Sequence, residues 1–279
     1  MASEREKIRA HEYELGHSDW EMKRLQTQAR LVDPFTRSYF LQAGLAPGMR
    51  VLDIGSGGGD VALLLAAIIG EDGEVVGIDR SAAAVAAAQT RTQGLGLGNV
   101  SFRVGDPRQV DFDRPFDAVV GRYVLMFNSN PAEMVRDCVR HVCSGGIVVF
   151  HEADWRGCGS DPPAPLFDHC WRSIIRTFEA VGTNPYGGRA MHATFVRAGL
   201  PAPTMALSAL IGGAANPVSG VDMLADLAIT MAPVMEQHGV IAREEIDPAN
   251  YRLRVIEEAE RLRSVVVGRS EVGAWSRAA

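Results

Sequence analysis

The sequence predicts a doubly wound α/β fold built on a mostly parallel sheet, and three observations carry that expectation. Short apolar runs with strand character recur at residues 51–54, 74–79, 100–104, 116–121 and 147–150. Helical patterns fill the intervals, among them residues 60–69, residues 82–93 and a segment opening at Pro131. Strands and helices that alternate at such short intervals pack as parallel βαβ units. The first strand also runs directly into a glycine-rich turn, Gly55-Ser56-Gly57-Gly58-Gly59, and then into an apolar helix.

Ahead of that strand, Ser18-Asp19-Trp20-Glu21 has the form of a capping box, with Ser18 as N-cap and Glu21 at N3. A helix is expected from there toward Leu31, and Pro34 is expected to open a second one through Leu41, since proline suits a first helical turn. Ala46-Pro47-Gly48 turns the chain into the first strand. Gly70-Glu71-Asp72-Gly73 leads into the second, which ends on Asp79. Ser81 caps an alanine-rich helix closed by Gly94. Val100, Phe102 and Val104 alternate in the third strand, which ends at Gly105-Asp106. Asn130-Pro131-Ala132-Glu133 combines an N-cap, a proline at N1 and an acid at N3, a strong helix start.

The pattern changes after the fifth strand. Residues 154–186 read as an insert with a helix from about Pro165, whose Phe167, Trp171, Ile174 and Phe178 share one face. A helix over 188–198 and a strand over 203–211 follow. A second insert carries two helical stripes: Leu224, Leu227, Met231, Val234 and Met235, with a bend expected at Pro233, then Val255, Ile256, Ala259, Leu262 and Val266. Met223, Met231 and Met235 read as core. Residues 271–277 read as the closing strand.

Composition excludes several classes. The formal charge is −6, and no basic stretch of any length marks a nucleic-acid footprint. The longest apolar run, residues 61–69, is too short to cross a bilayer. The opening MASEREKIRAHEYE is charged and lacks an apolar signal core, so a cytoplasmic protein is expected. Cys138, Cys143, Cys158 and Cys170 form no CxxC pair, which points to free thiols and to no metal site. The oligomeric state stays open, a homodimer included.

The glycine spacing narrows the ligand. A dinucleotide fingerprint requires G-x-G-x-x-G, and the position three beyond Gly57 is Asp60, so that pattern fails. The strand carries Asp53, two residues before Gly55, and a strand-borne carboxylate suits a ligand with a cationic end. Asp53-x-Gly55-x-Gly57-x-Gly59 resembles the first motif of the class I S-adenosylmethionine-dependent methyltransferases. The resemblance covers residues 45–152 and is loose beyond them.

It implies a Rossmann-like sheet of seven strands with the last antiparallel and with helical cap inserts. The expected division is an N-terminal helical lid (1–49), a cofactor-binding core (50–153), a helical insert (154–186), a core helix and strand (187–211), a helical cap insert (212–268) and the closing strand (269–279). It implies S-adenosyl-L-methionine as cofactor, with Gly55 and Gly57 under its methionine part and Asp53 near its amino group. Asp79 would accept from the ribose hydroxyls, with Arg80 beside it, and Asp106 would accept from the adenine amine. Plainer roles are a helix cap for Asp79 and a turn aspartate for Asp106. Arg122, after the fourth strand, lies where the family passes the methionine moiety, and is either a carboxylate ligand or a surface residue. Tyr13, in Tyr13-Glu14-Leu15-Gly16-His17-Ser18, resembles an N-terminal segment that closes over the cofactor in small-molecule members.

His151, Glu152 and Asp154 are expected just past the fifth strand, at the edge where open α/β sheets bind ligands, and His151 and Glu152 are the candidates for a general base. An ordinary polar loop is the alternative. The function expected from all this is methyl transfer to a small, largely apolar organic molecule, at oxygen, nitrogen or carbon, with no nucleic-acid or membrane partner. The rivals are a nicotinamide-dependent oxidoreductase and a protein that holds the cofactor without using it.

Overall fold

The computed structural model describes residues 19–213 and 221–279. Its centre is a sheet of eight strands: β1 (Arg50–Ile54), β2 (Glu74–Asp79), β3 (Val100–Val104), β4 (Phe116–Arg122), β5 (Val142–Asp154), β6 (Gly159–Asp161), β7 (Thr204–Gly212) and β8 (Val265–Arg277). The order is β3-β2-β1-β4-β5-β8-β6, with β7 also paired to β8. Strands β1 to β5 are mutually parallel, and β8 runs antiparallel to β5, β6 and β7. The mostly parallel doubly wound sheet with an antiparallel closing strand is therefore observed. The eighth strand is the short β6, which forms because β8 begins early enough to pair with it at Val265, Val266 and Val267.

Alternation along the central strands supplies both faces. Val51, Val75, Val120 and Val149 point into one core, which helices α2 (Asp60–Ile69) and α3 (Ala82–Gly94) cover. Leu52, Val76, Val119 and Val148 point into the other, under α4 (Pro131–Val139) and α6 (Gly187–Ala198). Strand β1 is buried at every residue, as a central parallel strand must be. A third apolar cluster caps the carboxyl edge. It joins Met126, Ala153 and Trp155 to α5 (Pro165–Ala180), α7 (Val221–Gln237) and α8 (Tyr251–Leu262). Met223, Met231 and Met235 are buried within it.

Local signals are satisfied where they were strongest. The Ser81 side chain accepts from Ala84 N, and Asn130 accepts from Glu133 N, each closing a helix start. Three expectations give way to tertiary packing. Instead of two helices there is one, α1 (Asp19–Ala43), running through Pro34. Proline loses one backbone bond there, while Val32, Tyr39 and Phe40 are all buried, and that burial holds the helix together. Ser18 lies outside the described residues.

The fifth strand does not stop at Phe150. It continues to Asp154 because β8 offers a ladder from Arg277 back to Ser270. The closing strand likewise starts at Val265, six residues before the expected Glu271, because β6 and β7 pair with its first half. His151, Glu152 and Asp154 are thus strand residues rather than a loop. Helix α1 docks on this region closely: Tyr39 packs on Gly273, where a Cβ would run into its ring, and Tyr39 OH donates to Glu271 O at 2.8 Å.

Candidate active site

The turn after β1 needs its glycines. Gly55, Gly57 and Gly59 all have positive φ, at 65°, 49° and 84°. Gly55 N and Ser56 N donate to Ile78 O, and Gly57 N donates to Asp79 Oδ2 at 2.9 Å, so the turn is tied to β2. A Cβ on Gly55 would meet Val124 Cγ2 at 2.8 Å, whereas one on Gly57 would meet nothing within 4 Å among the described residues. Gly57 therefore borders open space, where a ligand can approach the backbone. Gly57→Ala is expected to cost only about 1–2 kcal/mol of stability, from its left-handed conformation. It should still weaken S-adenosylhomocysteine binding at least ~10-fold, because the methyl enters the ligand's side of the turn. Calorimetry of both unfolding and binding checks this.

Asp53 is the most unusual residue of the site. It is 1% exposed, and neither carboxylate oxygen has a hydrogen-bond partner among the described residues. Burial pushes its pKa up to about 8, against the pull of Arg122 and with a further push from Asp79 and Asp60. A buried polar group without a partner is costly, and such a carboxylate suits a donor brought by a ligand. Arg122, its side chain 7% exposed, supplies the opposite sign nearby; its Nη1 donates to Asp33 Oδ1 at 2.6 Å and to Thr36 Oγ1 at 3.0 Å. An unpartnered carboxylate beside a guanidinium fits the ammonium and carboxylate of an α-amino acid.

Asp79 faces the same turn. Its Oδ1 accepts from Ser81 N at 2.8 Å while Oδ2 holds Gly57 N. Each oxygen keeps a second lone pair, so the residue acts as helix-side cap and turn clamp and still suits a ribose. Asp106 is more encumbered. It accepts from Arg108 through the backbone N, Nε and Nη2, and from Arg80 Nη2 at 2.5 Å. Burial opposes ionisation of Asp106, but the Arg108 and Arg80 contacts win and hold its carboxyl well below the usual range. Arg80, its side chain 61% exposed, is thus a bridge between the ends of β2 and β3. An adenine amine at Asp106 would share the carboxylate with both arginines. Tyr13 lies outside the described residues.

His151 and Glu152 are both fully buried and both engaged. Glu152 Oε1 accepts from Val124 N and Leu125 N, each at 2.8 Å, and Oε2 from Met126 N at 3.3 Å, anchoring the turn after β4. Burial raises its pKa to about 7, against those same backbone bonds. His151 Nδ1 lies 3.0 Å from Thr36 Oγ1 and Nε2 lies 3.0 Å from Glu271 Oε2. Burial lowers its pKa, against Glu271, and both Arg122 and Arg269 lower it further.

Several residues that sequence reasoning passed over complete this region. Tyr123 has φ 55°, the left-handed region that bulky residues avoid. Its hydroxyl donates to Glu271 Oε2 at 2.6 Å and accepts from Arg269 Nη2 at 2.9 Å. Arg269 Nε also donates to Glu271 Oε1 at 2.9 Å. The only signal in the chain was an Arg-x-Glu pair on one face of a strand, which names no partner.

A glycine turn tied to β2, an orphaned acid on β1, and a parallel sheet closed by one antiparallel strand define the Rossmann-like fold of S-adenosylmethionine-dependent methyltransferases. Residues 45–170 match the family described as methyltransferase domain. An arsenite methyltransferase from Aquipseudomonas alcaligenes is 32% identical over 39% of this chain and 34% of its own length. A ubiquinone biosynthesis O-methyltransferase from Paracidovorax citrulli is 30% identical over 49% of this chain and 57% of its own. The chain therefore spans only a part of the curated relatives it matches. Among solved structures, the geranyl diphosphate C-methyltransferase from Streptomyces coelicolor A3(2), bound to Mg2+, geranyl diphosphate and S-adenosyl-L-homocysteine, superposes with a TM-score of 0.53 at 16% identity. That match covers 95% of this chain and 87% of the other, and it is a likeness of fold.

Proposed function

We propose that this protein transfers a methyl group from S-adenosyl-L-methionine to a small, largely apolar organic acceptor. The observation that carries the cofactor half is Asp53, a buried carboxylate with no donor among the described residues, set beside an open glycine turn and Arg122. Asp53, Arg122, Gly57 and Asp79 would hold the amino-acid end and the ribose; Arg80 and Asp106 would border the adenine. When bound, the cofactor supplies an electrophilic methyl on a sulfonium. The chain's own part is to bind, orient and exclude water.

Support for the acceptor half comes from the cap. Helices α5, α7 and α8 gather their apolar faces over Met126, Ala153 and Trp155 at the carboxyl edge, where a concave, mostly apolar site would form. Relatives named for arsenite and for ubiquinone biosynthesis match only partial lengths of this chain. Acceptor choice then falls to the cap and to α1, the lid of this reading. No helix among the described residues is long and apolar enough to cross a membrane.

A base is required only for an acceptor that must lose a proton. Glu152, raised to about 7, titrates in the useful range but must release backbone donors to act. His151 must release Thr36 or Glu271. The decisive experiment is thermal unfolding with S-adenosylmethionine, S-adenosylhomocysteine or NAD, followed by transfer of labelled methyl to small phenols and quinols, to RNA and to protein. Stabilisation by the first two ligands and label in the small molecules is expected. Stabilisation by NAD alone, or label in RNA or protein alone, would overturn this function.

A further inference from the structure

Between helix α1 and the closing strand runs an unbroken line of hydrogen bonds through the interior. Arg122 Nη1 reaches Thr36 Oγ1, Thr36 reaches His151 Nδ1, and His151 Nε2 reaches Glu271 Oε2, each at 3.0 Å. Thr36, His151 and Glu271 are all 0% exposed. The line has one polarity. Glu271, paired with Arg269, is ionised and can only accept, so His151 donates from Nε2. A neutral imidazole then presents a lone pair at Nδ1, which takes the Thr36 hydroxyl proton in preference to Val32 O at 3.3 Å. That leaves Thr36 Oγ1 as the acceptor for Arg122. Register puts the same two residues side by side, since Arg122 of β4 pairs with His151 of β5.

We propose that Thr36, His151 and Glu271 are positioning residues for the amino-acid end of the cofactor, acting through Arg122. The proposal rests on the methyltransferase reading above. An arginine side chain carries substantial rotamer entropy, which a ligand must remove if the guanidinium is loose. Here Asp33 and Thr36 seize the same Nη1, one from a partly exposed ion pair and one from the buried line. The Asp33 bond is open to solvent and to competition from a ligand carboxylate. The Thr36 bond is neither, because its acceptor lone pair is oriented by His151, whose ring is oriented in turn by Glu271. Bonds in such a chain also polarise one another. The guanidinium is therefore set before a ligand arrives, with Asp53 positioned to take the ammonium of the same amino acid.

Two probes separate positioning from general support. S-adenosylhomocysteine has the amino-acid end, and 5′-methylthioadenosine has the same nucleoside and thioether without it. Calorimetry on the full chain is expected to show that Thr36→Val weakens S-adenosylhomocysteine about tenfold and changes 5′-methylthioadenosine less than twofold. Thr36→Ser, which keeps the hydroxyl, should restore binding of the former. Thr36→Ala serves as the second variant if the valine fails to fold. Equal losses for both probes, or no loss for S-adenosylhomocysteine, would overturn the proposal. If the unaltered chain binds neither probe, the methyltransferase reading fails first and takes this inference with it.

Discussion

Asp53→Asn is expected to weaken S-adenosylhomocysteine binding about 100-fold at pH 8 and to abolish the rise of that binding from pH 6 to pH 8. The size follows from removing one partner of a buried charge pair, which costs about 2–5 kcal/mol. The pH dependence follows from the raised pKa. In the ligand-free chain Asp53 titrates at about 8, chiefly because it is buried. The form that pairs with an ammonium is the carboxylate, so at pH 6 binding must first drive off a proton. Affinity should therefore climb from pH 6 to pH 8, by at most tenfold per unit, and level off as the carboxyl ionises by itself. The ligand's own amine begins to lose its proton near the same pH, as α-amino groups do at about 8, which ends the rise.

The stability of the free chain follows the opposite course. A folded-state pKa raised from 3.8 to about 8 contributes stability that is complete below 3.8 and lost as pH rises through 8. The ligand's stabilising effect on Tm should consequently be larger at pH 8 than at pH 6. Titration calorimetry at pH 7 in two buffers of different ionisation enthalpy should show nearly one proton released per ligand. A flat profile for the unaltered chain, or an unchanged slope in Asp53→Asn, would remove Asp53 from the site.

Glu271→Ala should be the most destabilising single change in the network. Glu271 is fully buried and accepts from Arg269 Nε, Tyr123 OH and His151 Nε2. Removing it strands the Arg269 guanidinium in an apolar surround, with Tyr123 and Trp155 packed on it as its remaining cushions. Breaking one partner out of a buried pair costs about 3–5 kcal/mol, and each kcal/mol shifts Tm by roughly 2–4 °C for a chain of this size. A loss of about 10 °C in scanning calorimetry is the expected reading. Arg269→Met in the same background should return much of it, since a buried pair can be exchanged for apolar packing at little cost.

The acid limb gives an independent check. Burial alone would raise Glu271, but Arg269, then His151 and Tyr123, hold it at about 2. A depressed carboxylate contributes stability that is present above its unfolded value of 4.5 and lost as pH falls toward 2. The alanine variant should therefore lose less stability than the unaltered chain between pH 5 and pH 3. A Tm change under about 2 °C at neutral pH would show that the network carries little of the fold's stability.

What the sequence determined by itself was local or periodic. Gly55, Gly57 and Gly59 were legible because only glycine tolerates three positive φ angles in one turn. Ser81 and Asn130 were legible because a cap acts on a backbone group within three residues. Asp53, Asp79 and Asp106 could be placed because each ends or nearly ends a strand whose apolar run is visible, and parallel strands bring those ends to one edge. The tertiary structure decided the rest. Whether β5 stopped at Phe150 or ran to Asp154 depended on β8, more than a hundred residues later. The same pairing turned His151 and Glu152 from loop residues into buried strand residues with every polar atom engaged. Thr36 and His151 stand 115 positions apart, and His151 and Glu271 stand 120 apart. A hydrogen bond between such positions leaves no period and no spacing in the chain, because its geometry exists only after α1, β5 and β8 have packed together.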